Sequence, residues 1–157
     1  MTSTHPPWHA LLAPLPPEVI PRRQPVAPAE ILAKPEGAAI AGWEQLTVDL
    51  SAGAAGLRVV MVTLDATGQP ISASDTVLYR SEGRRGSGGV EYHHESVGGR
   101  LESDGTFRGT RWLTVSVETA DGKEPQMHST PSEPSPADVS ALKALVAEVL
   151  RRSSPKA

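Results

Sequence analysis

A chain of 157 residues, 38% of them hydrophobic, can bury the core of one domain of ordinary size. Its formal net charge of −3 argues against bulk attraction to nucleic acid or to an anionic membrane. The lack of cysteine excludes disulfides, thiolate catalysis, zinc–thiolate sites and iron–sulfur clusters.

With 4% aromatic residues, the core must be built from Val, Leu and Ala, and base stacking has little to work with. No basic segment followed by an apolar stretch opens the chain, and no apolar run approaches the roughly 20 residues of a membrane span. The expectation is a cytoplasmic protein without a membrane partner or a cofactor.

Residues 1–36 carry nine of the fifteen prolines. Proline at this density removes backbone donors and opposes regular helix and central strand. An irregular, extended arm is expected, punctuated by Trp8, Leu11, Leu12, Leu15, Val19 and Ile20. It is either a tail or an arm laid on the sheet or on a partner. A short helical turn is possible at Pro28–Leu32.

Residues 37–124 read as an antiparallel sheet domain. Leu46, Val48 and Leu50 alternate with Thr47 and Asp49, the pattern of a half-buried strand. Leu57–Leu64 is apolar on both faces and reads as a central strand. Gly68 pivots the turn to a third strand, Ser74–Arg80. A loop follows with Arg84, Arg85 and Ser87, lacking both a phosphate-loop pattern and a nucleophile elbow.

Val90–Glu118 forms a long hairpin. Ser103-Asp104-Gly105 suits a three-residue loop ending in a left-handed glycine, which pairs Glu102 with Thr106 and Leu101 with Phe107. A bulge at Gly98-Gly99 would then turn Val90, Tyr92 and His94 inward, opposite Val117, Val115 and Leu113.

Residues 125–135 read as a Pro/Ser-rich linker. Ser135, Pro136 and Asp138 open a helix over 136–153 with an apolar stripe at Val139, Leu142, Leu145, Val146, Val149 and Leu150. The predicted fold is α+β: an antiparallel five-strand meander, curved or half-barrel, with one C-terminal helix packed on it. One helix covers only one face, so the arm or a second subunit is needed as further cover.

Candidate chemistry is sparse. His94 with Tyr92 and Arg111 would be a general base and its neighbours in a pocket, with Tyr79 also near. Glu91, His93 and Glu95 share a strand face at i, i+2 spacing and are weak metal candidates against a solvated charged face. His5 and His9 are weaker still, and His128 lies in an irregular segment.

Arg100 and Arg108 face each other across the hairpin, a repulsive pair that needs Glu102 or an anion. Trp112 on an outer face, beside Thr110 and Thr114, suggests an interface, and Trp8 on the arm adds a second anchor. No motif names a reaction, so enzyme activity is open.

Three functions follow in order. The first is a protein-binding or assembly module acting through a sheet face and the arm, with another protein or a second copy as partner. The second is an enzyme or ligand-binding protein with a pocket around His94. The third is anion or nucleic-acid binding through Arg100 and Arg108.

Overall fold

The structure is a computed structural model that describes residues 10–26, 42–51, 56–82, 90–118 and 126–153, with backbone alone at 80–82, 90–91, 116–118 and 126–128. Its elements are β1 (Arg22–Pro25), β2 (Glu44–Ser51), β3 (Gly56–Leu64), β4 (Pro70–Glu82), β5 (Val90–Leu101), β6 (Phe107–Glu118), β7 (Gln126–Ser132) and α1 (Pro136–Ser153). The strands form one antiparallel sheet in the order β1 to β7. The α+β class is as expected, but among the described residues the sheet has seven strands rather than five and does not close.

Both additional strands come from proline-rich sequence. β1 lies in the expected arm and β7 in the expected linker, and both are sheet edges. An edge strand tolerates proline because one side of its backbone needs no ladder partner. Pro25 and Pro131 sit in these two strands. Arg22 and Arg23 tie β1 to Asp49 and Glu44 of β2. Local composition opposed a strand there, and pairing to an existing edge overrode it.

The turns follow their sequence signals. Gly68 (φ 86°) and Gly105 (φ 91°) occupy the left-handed region. The Glu102 N–H donates to the Thr106 carbonyl at 2.8 Å, and the Gly105 N–H to the Glu102 carbonyl at 2.9 Å, which closes the three-residue loop. Leu101 pairs with Phe107 as expected.

The expected bulge is absent. β5 and β6 pair without interruption, so His94 lies opposite Thr114, and Tyr92 opposite Ser116. Gly99 and Gly109 are direct partners instead. A Cβ on Gly99 would stand 2.2 Å from the Arg108 carbonyl oxygen, and one on Gly109 2.5 Å from the Phe107 ring. These glycines serve close backbone approach, not an inserted residue, so strand parity is unbroken. Tyr92 and His94 therefore leave the inner face.

The inner face is formed by Leu46 and Val48 on β2, Val60, Val62 and Leu64 on β3, Ala73 and Val77 on β4, and Val97 on β5. Helix α1 covers it with Leu142, Leu145, Val146 and Val149. Its N-terminus has a reciprocal capping box: the Asp138 N–H donates to Ser135 Oγ at 3.1 Å, and the Ser135 N–H to Asp138 Oδ2 at 2.9 Å. The remaining cover comes from the arm. Leu15 is buried, and Leu11, Leu12 and Val19 pack beside it. β3 is third of seven strands rather than central, buried on alternate positions and half-exposed on the others.

Candidate functional site: the second sheet face

Strand alternation sorts the remaining residues onto the opposite face. Leu57, Val59 and Met61 of β3 pair with Leu78, Thr76 and Ser74 of β4. Leu78 in turn pairs with His94, and Ser96 with Trp112. The arm and the helix are packed on the first face. Leu78 is 38% exposed, Tyr92 43% and Trp112 41%, on three successive strands of the second. Thr47 of β2 is the buried exception on this side. The open area therefore runs from β3 across to β6.

Trp112 is where the sequence placed it, on an outer face with Thr110 and Thr114. Tyr92 and His94 join it there. Arg111 lies on the helix side, opposite Val97. His94, Tyr92 and Arg111 are thus on opposite sides of one sheet and cannot form a single pocket, which overturns their expected convergence.

Arg100 and Arg108 do pair directly. Glu102 stands 3.6 Å from Arg108 and supplies the expected compensation. Trp8, His5, His9, Arg84, Arg85, Ser87 and the Pro28–Leu32 turn lie outside the described residues.

His93 and Glu95 share the helix-side face, with the parity of Val97, and the Glu91 side chain lies outside the described residues. His93 stacks on Tyr79 with ring centroids 4.6 Å apart and planes 3° from parallel. Glu95 accepts from Tyr79 Oη at 3.4 Å and lies 3.9 Å from Arg111. Arg111 in turn donates to Asp138 at 2.8 Å. The Ser135 backbone N–H and then the Arg111 guanidinium hold the Asp138 carboxyl below its usual range. This chain of charges fastens the helix start to β5 and β6. Among the described residues no three His, Asp or Glu side chains group as metal ligands.

Sequence reading missed the most deeply buried polar pair among the described residues. Arg58 and Asp75 are both 0% exposed. Arg58 Nε donates to Asp75 Oδ1 at 3.0 Å and Nη2 to Oδ2 at 2.9 Å, a bidentate fork. The arm completes the pair through its backbone. The Leu12 N–H donates to Asp75 Oδ2 at 2.6 Å, and Arg58 Nη2 to the Ala13 carbonyl at 2.7 Å. Leu12 takes a φ of 64° to do so.

The signal was available: Arg58 has the parity of Val60 and Val62, and Asp75 that of Ala73 and Val77. A charge at an inward position on each of two neighbouring strands implies a pair.

A cleft of about 310 Å³ lies between Leu12, Pro14 and Leu15 of the arm and Ala141, Ala144, Leu145, Glu148 and Arg152 of α1. It contains none of the candidate site residues read from sequence, though Leu12 and Leu15 of the arm and Leu145 of the helix stripe line it. No family of known proteins, no curated protein and no solved structure matches this chain. Among the described residues, no helix is long and apolar enough to cross a membrane.

Proposed function

We propose that this protein is a protein-binding or assembly module whose working surface is the second sheet face, centred on Leu78, Tyr92 and Trp112. The observation that carries this reading is the segregation of cover. The arm and the helix both pack on one face, where Leu113 is also exposed, while three large apolar side chains stand about 40% exposed on the other. Monomeric proteins rarely leave a contiguous apolar patch beyond a few hundred Å², and larger ones mark interaction surfaces. Tyr and Trp also suit such a surface, since each offers a large apolar area with a polar tip.

Of the parts weighed for the arm, the described residues take the one laid on the protein's own sheet. Residues 10–26 complete the protein's own core and edge, so the described arm serves the fold and the sheet face is left for the partner. A pocket around His94 has no support in the placement of Arg111. An anion site at Arg100 and Arg108 is weakened by Glu102.

The test is site-specific photo-crosslinking in the native cells. A benzophenone side chain at Thr76, in the middle of the face, should give a protein adduct. The same group at the exposed Ala147 on α1 should give none. The Thr76 adduct should disappear in a Trp112→Arg background. Absence of any adduct at Thr76 above the Ala147 control refutes the reading.

A further inference from the structure

We infer that residues 10–20 are a proline-rich ligand held in cis, and that the groove beneath them takes a proline-rich segment of another protein in exchange. The groove lies on the helix side of the sheet and owes nothing to the second face.

The groove holds the arm by its backbone. Asp75 accepts from the Leu12 N–H, and Arg58 Nη2 donates to the Ala13 carbonyl. Arg152, in the last turn of α1, donates to the carbonyls of Leu15, Pro16 and Val19. Four of these five bonds end on a carbonyl of the arm, and one uses its N–H. That bias suits proline, which has an acceptor but no donor, and Pro14, Pro16 and Pro17 lie in this stretch. A proline-rich segment is also extended before it docks, so it loses little entropy on binding. Backbone bonds follow the path of a chain rather than its side chains, and among residues 10–20 only Leu15 is buried.

Both arginines have an acid partner outside the arm. Arg58 forks to Asp75, and Arg152 Nε donates to Glu148. The sheet and the helix therefore set the donors in place, ready for any chain of this path.

Two features make the arm a poor fit. Leu12 stands at a φ of 64°, in the left-handed region that a residue with a Cβ avoids. A cleft of about 310 Å³ also stays open between the arm and Ala141 and Ala144 of α1, and its apolar walls forgo contact there. The arm fills the groove in spite of both, because its tie to β1 at Arg22 keeps it at an effective concentration on the order of mM. A foreign segment with a larger apolar side chain at the place of Pro14 would fill the cleft as well as the groove, and would replace the cover that the arm gives to Leu142 and Leu145.

The experiment is fluorescence anisotropy with a labelled synthetic peptide of residues 10–20 against the full chain. On the wild type the peptide has to displace the arm. Leu15→Asp in the protein unseats the arm and should raise the affinity for the peptide at least about tenfold, because the groove is then no longer filled in cis. An arm that is only structural cover would give no such gain. Adding Arg152→Ala to Leu15→Asp should remove at least about tenfold, as three carbonyls lose their donor. A peptide carrying Pro14→Phe should bind at least about threefold tighter than the arm's own sequence, as its ring enters the cleft.

Circular dichroism checks that each variant folds. If Leu15→Asp does not, Leu12→Pro replaces it, since proline cannot take a φ of 64° and has no N–H for Asp75. Equal affinity of the unseated variant and the wild type for the peptide overturns the proposal, and so does binding that ignores Arg152→Ala. If the Pro14→Phe peptide gains nothing, the arm's own sequence is the better occupant, its source is a second copy of this chain, and the proposal of a foreign partner is overturned. None of these results bears on the Thr76 crosslink, so the two surfaces are tested separately.

Discussion

Replacing Asp75 with alanine takes the carboxylate from a fully buried guanidinium. Three bonds end on Asp75: from Arg58 Nε at 3.0 Å, from Arg58 Nη2 at 2.9 Å and from the Leu12 N–H at 2.6 Å. In the variant Arg58 still donates to the Ala13 carbonyl, but it has lost its carboxylate in a place water does not reach. Breaking one side of a buried pair costs about 3–5 kcal/mol, because the charge left behind is desolvated.

A domain is typically stable by about 5–15 kcal/mol, so the loss is a large share. With a urea slope of about 2 kcal/mol per M, the unfolding midpoint should fall by roughly 2 M. Asp75→Leu combined with Arg58→Met removes both charges. Its cost should fall short of the sum of the two single changes by at least about 2 kcal/mol.

Equilibrium urea unfolding followed by circular dichroism reads both numbers. A midpoint for Asp75→Ala within about 0.5 M of the wild type would refute the reasoning. So would strict additivity in the cycle. The arm is part of the same prediction. Its turn loses the acceptor of the Leu12 N–H, so proteolysis within residues 10–20 should quicken before the sheet itself unfolds.

Glycine positions in the hairpin separate two kinds of constraint. Gly99→Ala meets backbone at 2.2 Å and should cost at least about 2 kcal/mol, whereas Gly105→Ala meets nothing within 4 Å and should cost only the roughly 1 kcal/mol of a left-handed φ. Denaturant midpoints of the two variants check the order, and equal losses would contradict it.

Acid should loosen the C-terminal half of α1. Arg151 and then Arg152 hold the Glu148 carboxyl down at about 2, below its ordinary 4.5. Because the folded value is the lower one, this stabilisation is present above about pH 4.5 and is lost as pH falls from there through 2. A carbon-detected titration should find the Glu148 midpoint near 2, and Glu148→Gln should flatten the pH dependence of unfolding in that window.

Local signals in the chain determined much of the fold. The three-residue turn at Gly105, the capping box at Ser135 and Asp138, the stripe of α1 and the alternation at Leu46, Val48 and Leu50 each depend on residues within a few positions, and each was legible. The placement of Trp112 on an outer face was legible for the same reason, because parity carries along one strand from Phe107.

What depended on distant partners was not. Whether Gly98-Gly99 inserts a residue or allows close approach depends on Gly109 opposite, and that choice decided the side on which Tyr92 and His94 stand. Arg22–Pro25 and Gln126–Ser132 have no strand signal of their own and become strands because β2 and β6 offer open edges. Arg58 and Asp75 look like ordinary strand charges until the register brings them together and the arm closes over them. Sequence by itself determined the class, the helix and the turns, since their energetics are local. Only the tertiary structure decided which face was covered, because that depends on where the arm and the helix both come to rest.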